Sequence, residues 1–220
     1  MRIRWYGQSA FLLEDEQTVF IDPFGVAGDM LAARGLEFRY PAIEGVSADV
    51  LLITHEHFDH NAAEVIAGDP VTLRSTAGRL ESPLGEVIAV ASEHDASAGT
   101  ERGPNTIFSF ALGGLRLCHF GDFGQSSLRE EQAAAIGAVD LLFVPVGAGP
   151  TIGAEEAAAI AARLEAHWIV PMHYRTSRVN FLEPIDPFLA RMPEMQQLEQ
   201  PSFDTAELPP GPLAVVPAAP

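Results

Sequence analysis

The most informative absence in this chain of 220 residues is lysine, because all 13 of its basic residues are arginine. Without a lysine ammonium, the chain cannot form a Schiff base with a carbonyl substrate, and it cannot supply the P-loop lysine that holds nucleotide phosphates. It also lacks the Ser-x-x-Lys motif, in which a lysine assists a serine nucleophile. Three common catalytic strategies are therefore excluded before any motif is considered.

Positive charge and cysteine are both scarce. The chain has 13 arginines and 30 acidic residues, which gives a formal net charge of −17 at pH 7. Such a surface repels a phosphate backbone, so we expect no general affinity for DNA or RNA. The single cysteine, Cys118, excludes a disulfide framework and a cysteine-based zinc finger. We therefore expect a protein of a reducing compartment.

Long apolar runs are absent as well. No stretch approaches the roughly 20 residues that a bilayer-spanning helix needs, so we expect no membrane span. The first ten residues, MRIRWYGQSA, lack the continuous apolar segment and the cleavage site of a signal peptide. These features predict a cytoplasmic protein that binds a small-molecule substrate, and they leave a homo-oligomer open.

The length and the 47% of hydrophobic residues predict one domain with a sizeable core. Strand-like and helix-like segments alternate without a repeat or a boundary, so residues 1–220 are expected to form a single α/β domain of mixed sheets covered by helices. In the proline-rich segment 201–220, only Leu213–Val216 is able to form a last strand, which we expect at a sheet edge. Residues 25–45 have no clean period and are predicted to be a long loop, and a candidate lid.

Metal-ligating side chains are concentrated between His55 and His60, in the sequence HEHFDH. The apolar segment DVLLIT runs into it and is predicted to be a buried strand. His55 and His57 are two residues apart, so on an extended chain their side chains point the same way. Asp59 and His60 follow where the chain turns, and can face a second point nearby. Singly, such residues are more often surface histidines or turn caps, but their density here favours a site for two metal ions.

This motif resembles the His-x-His-x-Asp-His signature of the metallo-β-lactamase-fold hydrolases, and the resemblance extends over most of the chain. Further matching stretches are GQS at 7–9, IDP at 21–23, ERGPN at 101–105, HFGD at 119–122, PVG at 145–147 and PMH at 171–173. Several of these narrow the resemblance to the branch that includes ascorbate-6-phosphate lactonase-like proteins. It implies an αβ/βα four-layer sandwich, in which two mixed sheets are flanked by helices and a dinuclear metal site lies between the sheet edges.

The resemblance also implies the remaining ligands, each of which follows a predicted strand. The full set of implied metal ligands is His55, His57, Asp59, His60, His94, Asp122 and His173. In this resemblance the first ion binds His55, His57 and His94, and the second binds Asp59, His60 and His173. Asp122 lies between the two ions. A simpler explanation stays open for each of the three ligands outside the motif. His94 can belong to a solvated loop, Asp122 can shape a turn beside its neighbouring glycines, and His173 can be a packed histidine. Asp22 is a candidate hydrogen-bond acceptor for a ligand imidazole.

Two departures from the family pattern separate its subfamilies. His57 stands where the oxygen-reducing di-iron members carry glutamate, so we expect no redox role. Asp122 stands where the best-known zinc β-lactamases place a cysteine ligand, and Cys118 is too distant along the chain to replace it, so we expect no antibiotic hydrolysis. Gln8 stands where relatives often have histidine, which leaves the central chemistry in place.

The implied activity is that of a hydrolase with two divalent ions, zinc before manganese, iron or cobalt, and a metal-bridging hydroxide. Asp59 is the expected catalytic residue, because it can orient the nucleophile or accept its proton. The favoured substrate is a small anionic ester, either a phosphodiester or a sugar-phosphate lactone, and the loop residues Arg102, Asn105, Arg175 and Arg178 are candidates to hold it. The alternatives are an acyl hydrolase of neutral lactones or thioesters, and a non-enzymatic metal-binding protein with the same fold.

Overall fold

A computed structural model of the chain describes residues 1–25, 31 and 33–220. The strands are β1 (Arg2–Gly7), β2 (Ala10–Glu14), β3 (Thr18–Ile21), β4 (Val46–Ser47), β5 (Val50–Ile53), β6 (Ile66–Ala67), β7 (Val71–Arg74), β8 (Gly78–Ser82), β9 (Gly85–Glu93), β10 (Pro104–Leu112), β11 (Leu115–His119), β12 (Leu141–Pro145), β13 (Trp168–Met172), β14 (Met195–Gln197), β15 (Ser202–Asp204) and β16 (Leu213–Val216). The helices described are α1 (Glu130–Ile136), α2 (Ala154–Arg163) and α3 (Asp186–Leu189), with 3₁₀ turns at Ala63–Val65 and Thr205–Glu207.

Fourteen of the described strands form two large mixed sheets, and β4 and β6 pair with each other in a separate two-stranded sheet. One large sheet has six strands in the order β15-β1-β2-β3-β5-β7, and the other has eight in the order β14-β16-β13-β12-β11-β10-β9-β8. Each large sheet has an antiparallel part and a parallel part. In the six-stranded sheet the first parallel pair is β3–β5, and in the eight-stranded sheet it is β11–β12. The predicted α/β class with two mixed sheets is confirmed.

The two sheets share one hydrophobic core. Phe11 on β2 packs against Phe143 on β12, with ring centroids 4.6 Å apart, so the sheets lie face to face. On β5, Val50 and Leu52 join this core, whereas the alternate residues Leu51 and Ile53 join a second cluster on the outer face of the six-stranded sheet. Because both faces of β5 are covered, its sequence is a continuous apolar run rather than an alternating one.

The outer faces are covered differently. Helix α2 packs on β12 through its buried side chains Ala157, Ile160 and Ala161. The described part of the cover on the six-stranded sheet comes from connecting segments, with Tyr40 and Val179 buried there. No helix among the described residues combines the length and the apolar character needed to cross a membrane.

The last strand is where the sequence prediction was partly wrong. Leu213–Val216 does form a strand, but β16 lies between β13 and β14 and pairs in parallel with both. All four of its residues are buried, and an apolar run that is covered on both faces belongs inside a sheet rather than at its edge. The edge position is taken by the short strand β14. That residues 1–220 form a single domain stays a prediction.

The predicted long loop at 25–45 lies partly outside the described residues, which omit 26–30 and 32. Its described portion is anchored at Phe38, which forms a backbone bridge with Val179. Whether the segment is a lid falls on residues that the structure does not describe. The strands that matter for the site are β3, β5, β9, β11 and β13, because a polar residue follows each of them at one edge of the sandwich.

Candidate metal centre

Five strand ends deliver the polar side chains of the site. His55 follows β5 by one intervening residue, His94 follows β9 directly, and His173 follows β13 directly. Asp122 comes shortly after β11, and Asp22 directly after β3. Strands β9, β11 and β13 run in the same direction, so their carboxyl ends meet at one edge of the eight-stranded sheet. That edge faces the end of β5 in the other sheet.

Oδ2 of Asp122 lies at the centre of the cluster. The Nε2 atoms of His94, His173 and His60 lie 3.1, 3.2 and 3.3 Å from it, and Nε2 of His55 lies 3.9 Å away. The carboxylate is held from behind, because its Oδ1 accepts a hydrogen bond of 3.4 Å from the Ser9 hydroxyl. Four imidazoles therefore converge on one buried carboxylate oxygen.

The donor atoms fall into compact groups. The ligand atoms of His55, His57 and His94 all lie within 4.8 Å of one another, and so do those of Asp59, His60 and His173. Within the first group, Nε2 of His55 is 3.1 Å from Nδ1 of His57. Two ligands of a tetrahedral zinc ion, each about 2.0–2.1 Å from the metal, are about 3.3 Å apart. The spacing of these imidazoles thus fits a metal ion.

Asp22 forms a third compact group with His55 and His60, but its hydrogen bonds put it behind the ligands. Its Oδ2 accepts hydrogen bonds from Nδ1 of His60 at 2.9 Å and from the Thr54 hydroxyl at 2.7 Å. Since that hydroxyl proton is committed to Asp22, Thr54 Oγ can only accept from Nδ1 of His55, 2.9 Å away. One carboxylate therefore fixes the tautomer of both imidazoles and directs both Nε2 lone pairs into the site.

Two further candidate ligands are held by hydrogen bonds from other loops. Nδ1 of His94 donates to the backbone carbonyl of Pro150 at 3.0 Å, which leaves Nε2 free to face Asp122. The Asp59 carboxylate accepts a hydrogen bond of 3.0 Å from the side-chain amide of Gln8. Each orienting contact comes from a different loop, so the geometry depends on the packing of the whole edge.

The unsatisfied polar atoms also indicate a metal ion. Nε2 of His60 is buried and has no hydrogen-bond partner among the described residues, although it faces two carboxylates. Nδ1 of His173 is also buried without a partner in that part of the chain, but Nε2 is the nitrogen that faces Asp122, so Nδ1 does not bear on metal binding. A buried polar atom without a partner costs free energy unless a ligand compensates it. The residues present therefore fit metal ions as ligands.

The charges in the site favour metal binding. Burial, reinforced by the neighbouring imidazoles, lowers the pKa of His55, and burial lowers the pKa of His57 in the same way. Burial also lowers the pKa of His60, but the carboxylates of Asp122 and Asp59 outweigh it and hold that pKa well above its usual value. Although burial raises the pKa of Asp122, the surrounding imidazoles hold it well below its usual range. The ionised Asp122 carboxylate is in the form that binds a divalent ion, whereas His60 would release its proton when an ion binds.

Of the seven non-glycine residues with positive φ in the described part of the chain, three lie at this edge. Gln8, Asp22 and His173 all have φ near +50°, which is the left-handed region that side chains with a Cβ rarely adopt. Glycines allow the loops around them to approach closely. A Cβ added at Gly147 would lie 2.1 Å from the carbonyl oxygen of His173, and one at Gly124 would lie 2.4 Å from the carbonyl of His94. Strained residues of this kind cluster at functional sites.

The four candidate substrate contacts have different positions. Asn105 is buried behind Asp122, where its amide donates to Ser92 and Phe120 while its Oδ1 accepts from the backbone N–H of Asp122. It is a positioning residue, so its predicted contact with the substrate is wrong. The Nε of Arg175 donates to the Leu182 carbonyl, and that of Arg178 donates to the carbonyl of the last residue. Only Arg102 lines the cleft.

The cleft in front of the metal-ligand cluster has a volume of about 600 Å³. His57, Asp59, His94, Asp122 and His173 form its floor. Its walls are Leu31, Arg34, Leu36, Phe58, Arg102, Gly149, Pro150 and Phe181. A cavity of this size accommodates a small-molecule substrate.

Sequence reasoning did not find several residues that orient the ligands, namely Gln8, Ser9, Thr54 and the carbonyl of Pro150. The motif GQS, with its departure from histidine at Gln8, was the only available signal for the first two. Thr54 and Pro150 carry no local signature, because a threonine at a strand end and a proline in a glycine-rich loop are both common.

Comparison with known proteins identifies relatives of this chain. A family model described as the beta-lactamase superfamily domain matches residues 2–173. The UPF0173 metal-dependent hydrolase of Thermus thermophilus is 30% identical over 209 residues, which cover 80% of this chain and 84% of that protein. Its counterpart in Thermococcus kodakarensis is 28% identical over 202 residues, covering 80% and 85%. A Thermotoga maritima structure, described as a candidate Zn-dependent hydrolase of the metallo-beta-lactamase superfamily, has a TM-score of 0.78 with 31% identity and covers 98% of this chain and 97% of that one.

The fold and the matched family model define a protein of the metallo-β-lactamase superfamily. Within that superfamily the chain belongs to the UPF0173 metal-dependent hydrolases. The resemblance seen in the sequence is thereby confirmed at the level of the superfamily. The narrower likeness to ascorbate-6-phosphate lactonases stays a prediction.

Proposed function

We propose that this metal-dependent hydrolase uses two divalent ions to cleave a small anionic ester, either a phosphodiester or a sugar-phosphate lactone. The observation that carries the proposal is the convergence of four imidazole Nε2 atoms on Oδ2 of Asp122, within 3.9 Å. A cluster of this kind is costly to bury unless ions occupy it, because the facing lone pairs repel one another.

The donor groups support two ions. We assign His55, His57 and His94 to the first ion, and Asp59, His60 and His173 to the second, with Asp122 between them. The predominance of imidazole donors and their tetrahedral spacing favour zinc, with manganese, iron and cobalt as the alternatives. When bound, two such ions lower the pKa of a coordinated water to about 7 and polarise a substrate oxygen.

Asp59 is the residue that we assign to handle the proton of the attacking water. Its side chain is partly exposed on the floor of the cleft, where water and substrate reach it. The Gln8 amide donates to Oδ2 and so holds the carboxylate plane in place. A carboxylate in this position accepts a proton on its remaining lone pairs while it keeps its orientation.

The described residues favour direct attack by water over a covalent intermediate. The Ser9 hydroxyl is buried and donates to Asp122. Cys118 is fully buried in the core, and that burial raises the pKa of its thiol, so it is a poor nucleophile. Neither residue lines the cleft.

A second candidate function is the hydrolysis of neutral acyl substrates such as lactones or thioesters. The observation that favours it is the apolar part of the cleft wall, formed by Leu31, Leu36, Phe58 and Phe181. The third alternative, a metal-binding protein without activity, is opposed by the open cleft that leads to the ligand cluster. Turnover of any ester that depends on metal would eliminate it.

The test compares initial rates of the zinc- or manganese-loaded protein on bis(4-nitrophenyl) phosphate and on 4-nitrophenyl butyrate. We expect the phosphodiester to be preferred, and the rate to disappear with EDTA and return with metal. Asp122→Asn should bind fewer than two ions per chain and lose at least about 100-fold in kcat. Asp69→Asn, the same change at an exposed position, is the matched control and should match the unaltered protein. A preference for the acyl ester would favour the second function, and an active Asp122→Asn with two ions would refute the bridging assignment.

A further inference from the structure

The two arginines that line the cleft have no carboxylate partner in the described part of the chain. Six arginines outside the cleft are paired with glutamates, namely Arg2, Arg39, Arg74, Arg79, Arg129 and Arg163. The guanidinium groups of Arg34 and Arg102, like those of Arg4 and Arg116, have no ion pair or side-chain hydrogen bond within the described residues, but only Arg34 and Arg102 of these four line the cleft. In a chain with 30 acidic residues, a guanidinium that faces the cleft without a carboxylate is available to an anionic ligand.

The loop that carries Arg102 is held rigidly by its neighbours. The Asp95 carboxylate accepts four backbone N–H hydrogen bonds, from Ser97, Gly99, Glu101 and Arg102, at 2.8 to 3.0 Å. The backbone of the same loop is tied to the metal-ligand cluster, because the N–H of His94 donates to the carbonyl of Gly103 at 3.1 Å. The position of Arg102 relative to the ligands is thus determined by the fold, which is the condition for a specificity residue.

The cleft also has an apolar wall, in contrast to its arginines. Phe58 lies inside the ligand motif, between His57 and Asp59, and is 44% exposed. Its ring packs edge-to-face against Phe38, with centroids 6.1 Å apart, so one side of it is supported while the other faces the cleft. Leu36 and Phe181 extend the same wall. An exposed aromatic ring beside a catalytic site is the feature of a surface that a ligand covers.

From these observations we infer that the substrate is an amphipathic anion, namely a phosphodiester with an aryl or alkyl substituent that packs on Phe58 while Arg102 pairs with the negative charge. The inference rests on the proposed function and sharpens it. It selects the phosphodiester over the sugar-phosphate lactone, because the hydroxyl groups of a sugar would lose hydrogen bonds with water against this apolar wall. The cleft volume of about 600 Å³ leaves room for such a substituent beside the scissile bond.

The test uses two substrates that have the same charge and the same leaving group, phenyl 4-nitrophenyl phosphate and methyl 4-nitrophenyl phosphate. After correction for their uncatalysed rates, we expect kcat/KM of the metal-loaded protein to favour the phenyl diester by about 10-fold to 100-fold, the range for apolar groups in a matching pocket. Phe58→Ala should reduce that ratio to within about 3-fold of unity. Met195→Ala, which removes an exposed apolar side chain outside the cleft, is the matched control and should keep the ratio.

The charge is tested separately. Arg102→Ala should lower kcat/KM for both phosphodiesters by about 10-fold or more and leave their ratio unchanged, while Arg102→Lys should recover part of the loss. The same variant should not affect the neutral ester 4-nitrophenyl acetate. Arg2→Ala is the matched control, because Arg2 is exposed and does not line the cleft.

Binding provides a readout that does not depend on turnover. Calorimetric titration of the metal-loaded protein should give tighter binding of phenylphosphonate than of methylphosphonate by about 10-fold, and Phe58→Ala should remove the difference. If no ester is hydrolysed but this preference exists and depends on Phe58, the proposed function is wrong and the inference about the ligand holds. If esters are hydrolysed while the phenyl and methyl compounds bind and react equally, the inference is wrong and the function stands. Unchanged phosphodiester kinetics in Arg102→Ala would overturn the charged half of the inference.

Discussion

Replacing Asp22 by asparagine tests whether one buried carboxylate orients ligands of both metal ions. Asp22 is completely buried and accepts three hydrogen bonds, from the Thr54 N–H, the Thr54 hydroxyl and Nδ1 of His60. Asparagine has nearly the same shape and tolerates the positive φ of this position. However, asparagine has only one oxygen that accepts hydrogen bonds. Its NH₂ group, which is itself a donor, must face the donors that bound the second carboxylate oxygen of Asp22.

The magnitude follows from these contacts. If the amide oxygen keeps the Thr54 N–H, the two hydrogen bonds on the other oxygen are lost, and each hydrogen bond to a charged group contributes about 1.5–3 kcal/mol. After partial relaxation, we expect the metal-free protein to lose about 3 kcal/mol of unfolding free energy, which lowers Tm by about 6–12 °C for a domain of this size. We expect metal affinity to fall by about 10-fold to 100-fold, and for both ions. His60 loses its acceptor, and the Thr54 hydroxyl, no longer committed to Asp22, ceases to fix the tautomer of His55.

The assay is thermal unfolding by circular dichroism with EDTA and with zinc, combined with metal competition against a chromogenic chelator. Thr54→Val is an informative companion, because it breaks the link to His55 while it keeps the hydrogen bond from His60 to Asp22. It should weaken the first ion more than the second. Asp69→Asn serves as the exposed control. If Asp22→Asn bound two ions with unaltered affinity, the orienting role of Asp22 would be refuted.

Three further predictions concern the support of the site and the core. Arg74 forms a bidentate ion pair with Glu56 that lowers the pKa of Glu56 to about 2. Arg74→Ala should weaken metal binding by a few-fold in a chelator titration. Because the pair is exposed, its loss should change the free energy of unfolding by at most about 1 kcal/mol. Gly147→Ala should displace the His173 carbonyl, 2.1 Å from the new Cβ, and should remove one metal ion in elemental analysis. Cys118 should not react with a thiol reagent in the native protein and should react fully in guanidinium, because it is buried and burial raises its pKa.

Each of these three predictions has a control. Arg79→Ala removes the exposed ion pair with Glu86, outside the cleft lining, and should leave metal affinity unchanged. Gly153→Ala adds a methyl group where the nearest atoms are 3.5 Å away and φ is negative, so both ions should remain. Rapid labelling of Cys118 in the folded protein would contradict the assigned core, and two retained ions in Gly147→Ala would contradict the close approach at His173.

Local sequence patterns predicted several elements of the fold. The apolar run before His55, the pair of glycines between β10 and β11, and the apolar run that forms β16 each indicate a strand through burial or turn chemistry that neighbouring residues determine. The motif HEHFDH is likewise local, since two-residue spacing on an extended chain brings imidazoles together wherever that chain lies. Its resemblance to a known signature then indicated the sandwich and the remaining ligand positions.

The orienting contacts could not be read in the same way. Asp22 and Thr54 are 32 residues apart, and Ser9 and Asp122 are 113 apart, yet each pair forms a hydrogen bond. These distances in the chain are closed by the parallel pairing of β3 with β5 and by the face-to-face packing of the sheets. The position of β16 inside its sheet depends in the same way on its two partners.

The sequence by itself therefore determined the chemistry of the candidate metal donors and the strands β5 and β16, because these depend on residue type and short spacing, while its resemblance to a known signature indicated the class of protein. Only the tertiary structure decided which side chains orient the donors, that Asn105 supports Asp122 instead of a substrate, and that Arg102 and Phe58 line one cleft. The physical reason is that hydrogen bonds and cavity walls act over a few ångströms in space, whereas the residues that form them are brought together by sheet register and by the packing of one sheet on the other.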